Sequence, residues 1–211
     1  MGDQPIALQD AVMTQPAHHG RVGPNAIIRV AEALEARQER AAVIDLFRLA
    51  GLEGYLDALP TAMVEEQEVT ALQAALRQQL GITAARVVAR DAGLRTGDYL
   101  LANRIPRPAQ ALLSILPPRL AGRALLKAIR GNAWTFVGTG IFEANPSYPP
   151  RLTVTDSLLC RGASATEPLC DFSAGTFERL IRRLVHPDSV VTEIACHAAG
   201  APACIFEVRW S

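Results

Sequence analysis

Apolar positions recur at helical spacing through the first 130 residues and give way to short β-rich runs after that. From Pro24, suited to a first helical position, Ile27, Ile28, Val30, Ala31 and Leu34, then Ala41, Val43, Ile44 and Phe47, keep the helical period until Gly51. One long helix or two are expected there. A short amphipathic piece over 55–59 ends at Pro60, and a further helix is predicted from about Val64 to Leu80, with Gly81 as its stop. Thr83 caps the next segment, TAARVVARDAGLRTGDYLLANR, in which Gly93 and Gly97 each weaken a helix by roughly 1 kcal/mol relative to alanine, so a break is expected near Gly93. Prolines at 106, 108, 117 and 118 divide the following stretch into two helices, the second closing with Lys127 and Arg130, cations that suit a helix C-terminus.

The pattern changes at Trp134. WTFVGTGIF and RLTVTDSLL are rich in aromatic and β-branched residues and flank the turn sequence NPSYPP, which predicts a β-hairpin. A helix from Phe172 to His186, with Phe177, Leu180, Ile181 and Leu184 on one stripe, precedes two last strands, SVVTEIACHA and ACIFEVRW, joined around AGAP. Helices first, then strand, strand, helix, strand, strand, define an α+β fold: N-terminal helices packed on a small antiparallel sheet. Three regions follow: a flexible arm over 1–22, a helical region over 23–80, and a domain over 81–211.

Charge narrows the function. Lys plus Arg equals Asp plus Glu at 21 each, which supplies no global field to attract nucleic acid. The apolar fraction of 49% and a mean hydropathy of +0.14 are high, yet no run approaches the ~18 apolar residues of a membrane span. Surplus apolar surface points to a pocket or a partner. The first twenty residues show no basic start followed by an apolar stretch, so a cytoplasmic location is expected. Four cysteines in such a chain fit metal binding or the reduced state better than disulfides.

Cys170, Glu193, Cys196 and Cys204 form the pattern C-x22-E-x2-C-x7-C. Thiolates and a carboxylate can complete a tetrahedral zinc site, and the predicted topology brings a helix start and a hairpin to one place. The spacing alone leaves open that these are ordinary buried cysteines, which behave as small hydrophobes. His197 is a rival for Glu193, but neighbours along a strand face opposite ways, which sets His197 away from Cys196. Cys160, ten residues upstream of Cys170, is expected to stand apart.

The stretch CDFSAGTFERLIRRLVHPDSVVTEIACHAAGAPACIFEV resembles the C-terminal signature of the 4-vinyl reductase domain family, in which such residues hold a zinc ion. NRIPRPAQALLSILPPRLAGRALLKAIRGNAWTFVGTGIF is similar to the form of that domain found in bacteriochlorophyll synthesis, and the resemblance covers about 80–211. It implies a fold shared with a subunit of a vesicle-tethering complex and with aromatic-sensing domains of bacterial activators, and a structural zinc on Cys170, Glu193, Cys196 and Cys204. It also implies a ligand pocket between helices and sheet, lined by a tryptophan after the last long helix. Trp134 occupies that place, with Phe136 beside it; both also read as core aromatics.

The family label is a reductase. Vinyl reduction needs electrons from a nicotinamide, a flavin or an iron–sulfur cluster, and no G-x-G-x-x-G opens a helix after a strand here. The resemblance therefore points first to a binding or carrier protein for a tetrapyrrole, a magnesium porphyrin or chlorophyllide intermediate, and second to a vinyl reductase of divinyl protochlorophyllide. An adaptor docking on pathway enzymes is the third reading. Arg104, Arg107, Arg119, Arg123 and Lys127 could pair with the carboxylates of such a ligand, or form a solvated helix face. His18, His19 and His186 are candidate axial ligands for magnesium. Implied partners are pathway enzymes such as magnesium chelatase or the methyltransferase, a second copy of the chain through its helices, and the periphery of the photosynthetic membrane.

Overall fold

The computed structural model describes residues 20–210, so His18, His19 and most of the expected arm lie outside the described residues. Two short helices, α1 (Asn25–Glu35) and α2 (Arg40–Leu49), bury Ile27, Val30, Leu34, Val43, Leu46 and Phe47. A single turn, α3 (Gly54–Asp57), follows. Val64 and Glu65, expected to start a helix, form strand β2, paired with β1 (Arg21–Val22) in a two-stranded antiparallel ribbon. This ribbon fixes the chain beside the start of α4 (Glu66–Asn103), whose first turn is closed by a capping box between Glu65 and Glu68.

Helix α4 is the axis of the molecule, and its one interior departure from helical geometry is at Gly81, with φ 74°, where two helical segments join. The predicted break near Gly93 does not occur. Gly93 serves close packing instead: a Cβ there would lie 2.1 Å from the carbonyl oxygen of Phe172 on α8 (Asp171–Leu184), and one on Gly175 would lie 2.4 Å from the Arg90 carbonyl. The glycines let two backbones touch, and Thr176 donates from its hydroxyl to the Gly93 carbonyl at 3.1 Å. Arg86–Asp171 at 2.7 Å and Arg90–Glu178 at 2.6 Å flank the crossing.

Leu-Pro-Pro separates α5 (Arg107–Ile115) from α6 (Pro118–Gly131), as expected. The residues expected to open the hairpin diverge: Trp134–Val137 make a helical turn, α7, and the hairpin starts later, with β3 (Ile141–Asn145) and β4 (Arg151–Thr155). Their β-propensity is overridden by packing, because Phe136 sets its ring 5.4 Å from Phe142 and 6.0 Å from Phe177. The last strands are β5 (Val190–Ala195) and β6 (Cys204–Arg209), and the antiparallel sheet runs in the order β3-β4-β6-β5. Its inner face, with Phe142, Leu152, Val154, Phe206 and Val191, is covered by α8. The fold is α+β, and one apolar core extends from Val22 to Val208 across the boundary expected at residue 80.

A buried carboxylate secures the other end of α4. Glu66, 3% exposed, accepts hydrogen bonds from the Thr139 amide at 2.7 Å, the Thr139 hydroxyl at 2.8 Å and Arg161 at 2.9 Å. Burial opposes its charge, but the Thr139 and Arg161 donors outweigh burial and hold its pKa below the usual carboxylate range.

Candidate metal centre and basic helical face

The long connection between β4 and α8 leaves the sheet through Asp156, in the left-handed region at φ 54°, and folds back toward α4. Two side chains of α4 hold it there: the Thr70 hydroxyl donates to the Leu158 carbonyl at 2.9 Å and Arg77 to the Leu159 carbonyl at 2.9 Å. Cys160 is thereby driven inward. Cys170 sits at the start of α8, Cys196 follows the end of β5, and Cys204 opens β6.

The four sulfurs, all buried, lie within 4.8 Å of one another. Cys204 Sγ stands 3.5 Å from that of Cys170, 3.6 Å from that of Cys160 and 3.8 Å from that of Cys196. Bonds of about 2.3 Å to a tetrahedral ion would put sulfur ligands about 3.8 Å apart. The observed spacing fits one ion. A four-iron cluster, with each cysteine on a different corner iron, spreads its sulfurs much wider. Backbone amides approach the sulfurs as well: the His197 N–H donates to Cys204 Sγ at 3.4 Å, and the Leu169 N–H to Cys196.

The structure thus groups Cys170, Cys196 and Cys204, as the sequence led us to expect, and adds Cys160, which it had set apart. No residue near Cys160 in the sequence signals this; the fold-back depends on Thr70 and Arg77, more than eighty residues away. Glu193, the expected fourth ligand, stands beside the sulfurs. On β5 it faces inward with Val191, next to a bulge between Glu193 and Ala195. One of its oxygens accepts the Cys170 N–H at 2.7 Å, and the other is buried without a hydrogen-bond partner among the described residues. Burial first, then the neighbouring Cys196 sulfur, push its carboxyl up to about 8. Within the cluster, hydrogen bonds from Cys160, Cys170 and Cys204 draw the Cys196 thiol far down, while the bonds they give push Cys170 and Cys204 up. One thiolate shared among four close thiols is an arrangement poised for a cation. Arg77 adds a positive charge nearby, its own pKa lowered by burial and raised in part by the field of Cys160, Cys170 and Cys196. His197 is exposed, as its strand position predicts.

The residues expected to bind a ligand lie elsewhere. Trp134 and Phe136 are half-buried on α7, and four phenylalanine rings, 136, 142, 177 and 206, fill the space between helices and sheet at centroid distances of 5.4 to 6.1 Å. Arg104, Arg107, Arg119, Arg123 and Lys127 are all exposed along α5 and α6. None forms an ion pair with another described residue. His186 is also outside the metal group; its Nδ1 accepts the Asp188 N–H at 3.3 Å. A separate open groove of about 420 Å³ lies along α4 and the start of α8, and its arginines are already matched: Arg37 with Asp91, Arg86 with Asp171, Arg90 with Glu178.

A small antiparallel sheet packed on a glycine-notched helix pair, with a cysteine cluster at the sheet's end, defines the class: residues 150–210 match the 4-vinyl reductase domain. The whole chain extends that likeness. It is 41% identical over 193 residues to the "Bacteriochlorophyll synthase 23 kDa chain" of Cereibacter sphaeroides, covering 92% of each protein, and 39% identical over 186 residues to the protein of the same name from Rhodobacter capsulatus, covering 88% of this chain and 85% of that one. The chain belongs to this family of bacteriochlorophyll synthase 23 kDa chains, which carry the 4-vinyl reductase domain. Among solved structures, an H-NOX protein from S. oneidensis in its Fe(II)NO ligation state is similar with a TM-score of 0.48 at 12% identity, over 87% of this chain and 98% of that one. That likeness is too remote to inform ligand chemistry.

Proposed function

We propose that this protein acts in bacteriochlorophyll biosynthesis as a metal-stabilised carrier that binds a tetrapyrrole intermediate and passes it between pathway enzymes. The observation that carries the pathway assignment is the 41% identity, over 92% of both chains, to a protein named as a chain of bacteriochlorophyll synthase. The metal is a single zinc ion held by Cys160, Cys170, Cys196 and Cys204, with Glu193 as the outer group that fixes the Cys170 backbone. Four sulfurs at tetrahedral spacing, a buried carboxylate oxygen with no partner among the described residues, and one nearby arginine support that reading. Zinc in such a closed site supplies folding free energy and no redox chemistry.

The tetrapyrrole binds on the other side of the molecule, its ring against Trp134 and Phe136 and its carboxylates on Arg104, Arg107, Arg123 and Lys127. Half-buried aromatics beside unpaired cations suit a flat apolar molecule with anionic substituents. Because the four phenylalanines fill the interior, entry requires α5 and α7 to shift. Helix α5 is suited to that, since none of its residues is buried.

The experiment is a titration of purified protein with magnesium protoporphyrin, followed by absorption and fluorescence, with and without NADPH. Saturable binding at one ligand per chain, weakened by Arg123→Glu and with no change in the vinyl groups, is the expected result. Absence of binding would overturn the carrier reading, and NADPH-dependent loss of a vinyl group would replace it with the reductase.

A further inference from the structure

Between Tyr99 and Phe142 the chain holds six cations, Arg104, Arg107, Arg119, Arg123, Lys127 and Arg130, and no acid. With 21 basic and 21 acidic residues in all, the six leave 15 against 21 elsewhere, so a neutral protein is divided into a segment of +6 and a remainder of −6. Every one of the six is exposed, and none forms an ion pair with a described residue, although arginines throughout the rest of the fold do. On α6, Arg119, Arg123, Lys127 and Arg130 follow one another at helical spacing on the side opposite buried Ala121, Leu125 and Ile129. They form one stripe.

The apolar residues of this segment are placed against the usual rule. Helix α5 has no buried residue, and half-buried Leu113 and Ile105 attach it to the core. Leu112 is 57% exposed, Ile115 79% and Leu120 50%, all within one turn of the Leu-Pro-Pro junction. A nine-residue helix between prolines is marginal in water unless its apolar side meets another phase. No described residue covers it.

We infer that the α5–α6 hairpin docks the protein on an anionic phospholipid surface, with Leu112, Ile115 and Leu120 entering the headgroup boundary and the Arg119–Arg130 stripe lying against lipid phosphates. Unpaired cations without acids, interleaved with exposed large aliphatics, match an interfacial amphipathic element. The match to an acidic protein is poorer, because it leaves the aliphatics at the junction without an apolar phase. The −6 remainder orients the molecule, turning this face alone toward a negative surface. No helix among the described residues is long and apolar enough to cross a membrane, so the attachment is to one leaflet. The inference needs no tetrapyrrole and stands or falls apart from the carrier reading.

Co-sedimentation of the full-length metal-loaded protein, without tetrapyrrole, with vesicles of phosphatidylcholine plus phosphatidylglycerol tests it, against vesicles of phosphatidylcholine alone. Binding to the anionic vesicles only, falling as salt rises, is expected. A cation brought to such a surface changes partitioning about fivefold, so the double variant R119E/R130E, which reverses two charges, should weaken binding by about a hundredfold or more. Both residues lie outside the proposed tetrapyrrole contacts, and unchanged magnesium protoporphyrin binding in that variant keeps the two readings separate. The triple variant L112S/I115S/L120S should lose the salt-resistant part of the binding. All five positions are exposed, so melting temperature and zinc content should match the parent. No binding to anionic vesicles, or equal binding to neutral ones, would overturn the inference; the first result would leave an acidic protein as the occupant of this face.

Discussion

The cysteine cluster and the α5–α6 hairpin lie in one fold and follow opposite rules. Around the cysteines nearly every polar atom is matched: loop carbonyls by Thr70 and Arg77, the Cys170 amide by Glu193, the sulfurs by each other and by backbone amides. Along α5 and α6 the cations have no ion-pair partners among the described residues, and three large aliphatics face outward. A region that satisfies itself is built to stay the same. A region that leaves charge and apolar area unmatched is built to meet something else.

Substitutions should separate the two regions by size of effect. Cys196→Ala should be the most damaging: it removes metal and lowers stability by several kcal/mol, since binding energy at a structural zinc is folding energy. Unchanged melting and metal content would place the cluster with the passive core. Gly175→Ala, at the crossing of α4 and α8, should cost about 1–3 kcal/mol, because its Cβ meets the Arg90 carbonyl at 2.4 Å. Chemical denaturation would read that loss, and a neutral result would show that the helices can separate.

Glu66 gives the pH dependence. Its folded pKa is lower than its unfolded one, so it binds fewer protons in the folded state, and its stabilisation is present above the unfolded pKa and fades as pH falls through the folded value. Stability should decline below about pH 4.5, and Glu66→Gln, costing about 1–3 kcal/mol at neutral pH, should flatten that decline. A parallel curve for the variant would mean that other carboxylates dominate. At the far end, Ile115→Ser should change stability by less than about 0.5 kcal/mol, the ordinary result for an exposed site. A large loss would show that α5 is part of the packed structure and weaken its role as a docking face.

What the sequence revealed follows the same division. Periodic elements were legible: α1, α2, α6, α8 and the last two strands fall where their apolar positions put them, and Pro117 and Pro118 split α5 from α6 as their chemistry requires. Three local readings failed for non-local reasons. Gly93 looked like a helix breaker and is a contact point, because only the position of α8 shows why a side chain is excluded. Trp134–Val137 looked like a strand and is a helical turn, because Phe136 packs between Phe142 and Phe177. Cys160 looked like a bystander because its position depends on Thr70 and Arg77 holding the loop. The spacing of Cys170, Cys196 and Cys204 was legible because helix start and hairpin are local features; a cysteine placed by a long loop leaves no such trace.

If four sulfurs around one ion organise the C-terminal half of this family member, X-ray absorption at the metal edge of the purified protein should see them, together with the metal content per chain. Expected are one zinc per chain, a first shell of four sulfurs at about 2.3 Å and no metal–metal distance. A shell of three sulfurs and one oxygen would put Glu193 in the place assigned to Cys160. A metal–metal distance, or a chain that folds as stably without metal, would refute the single structural ion altogether.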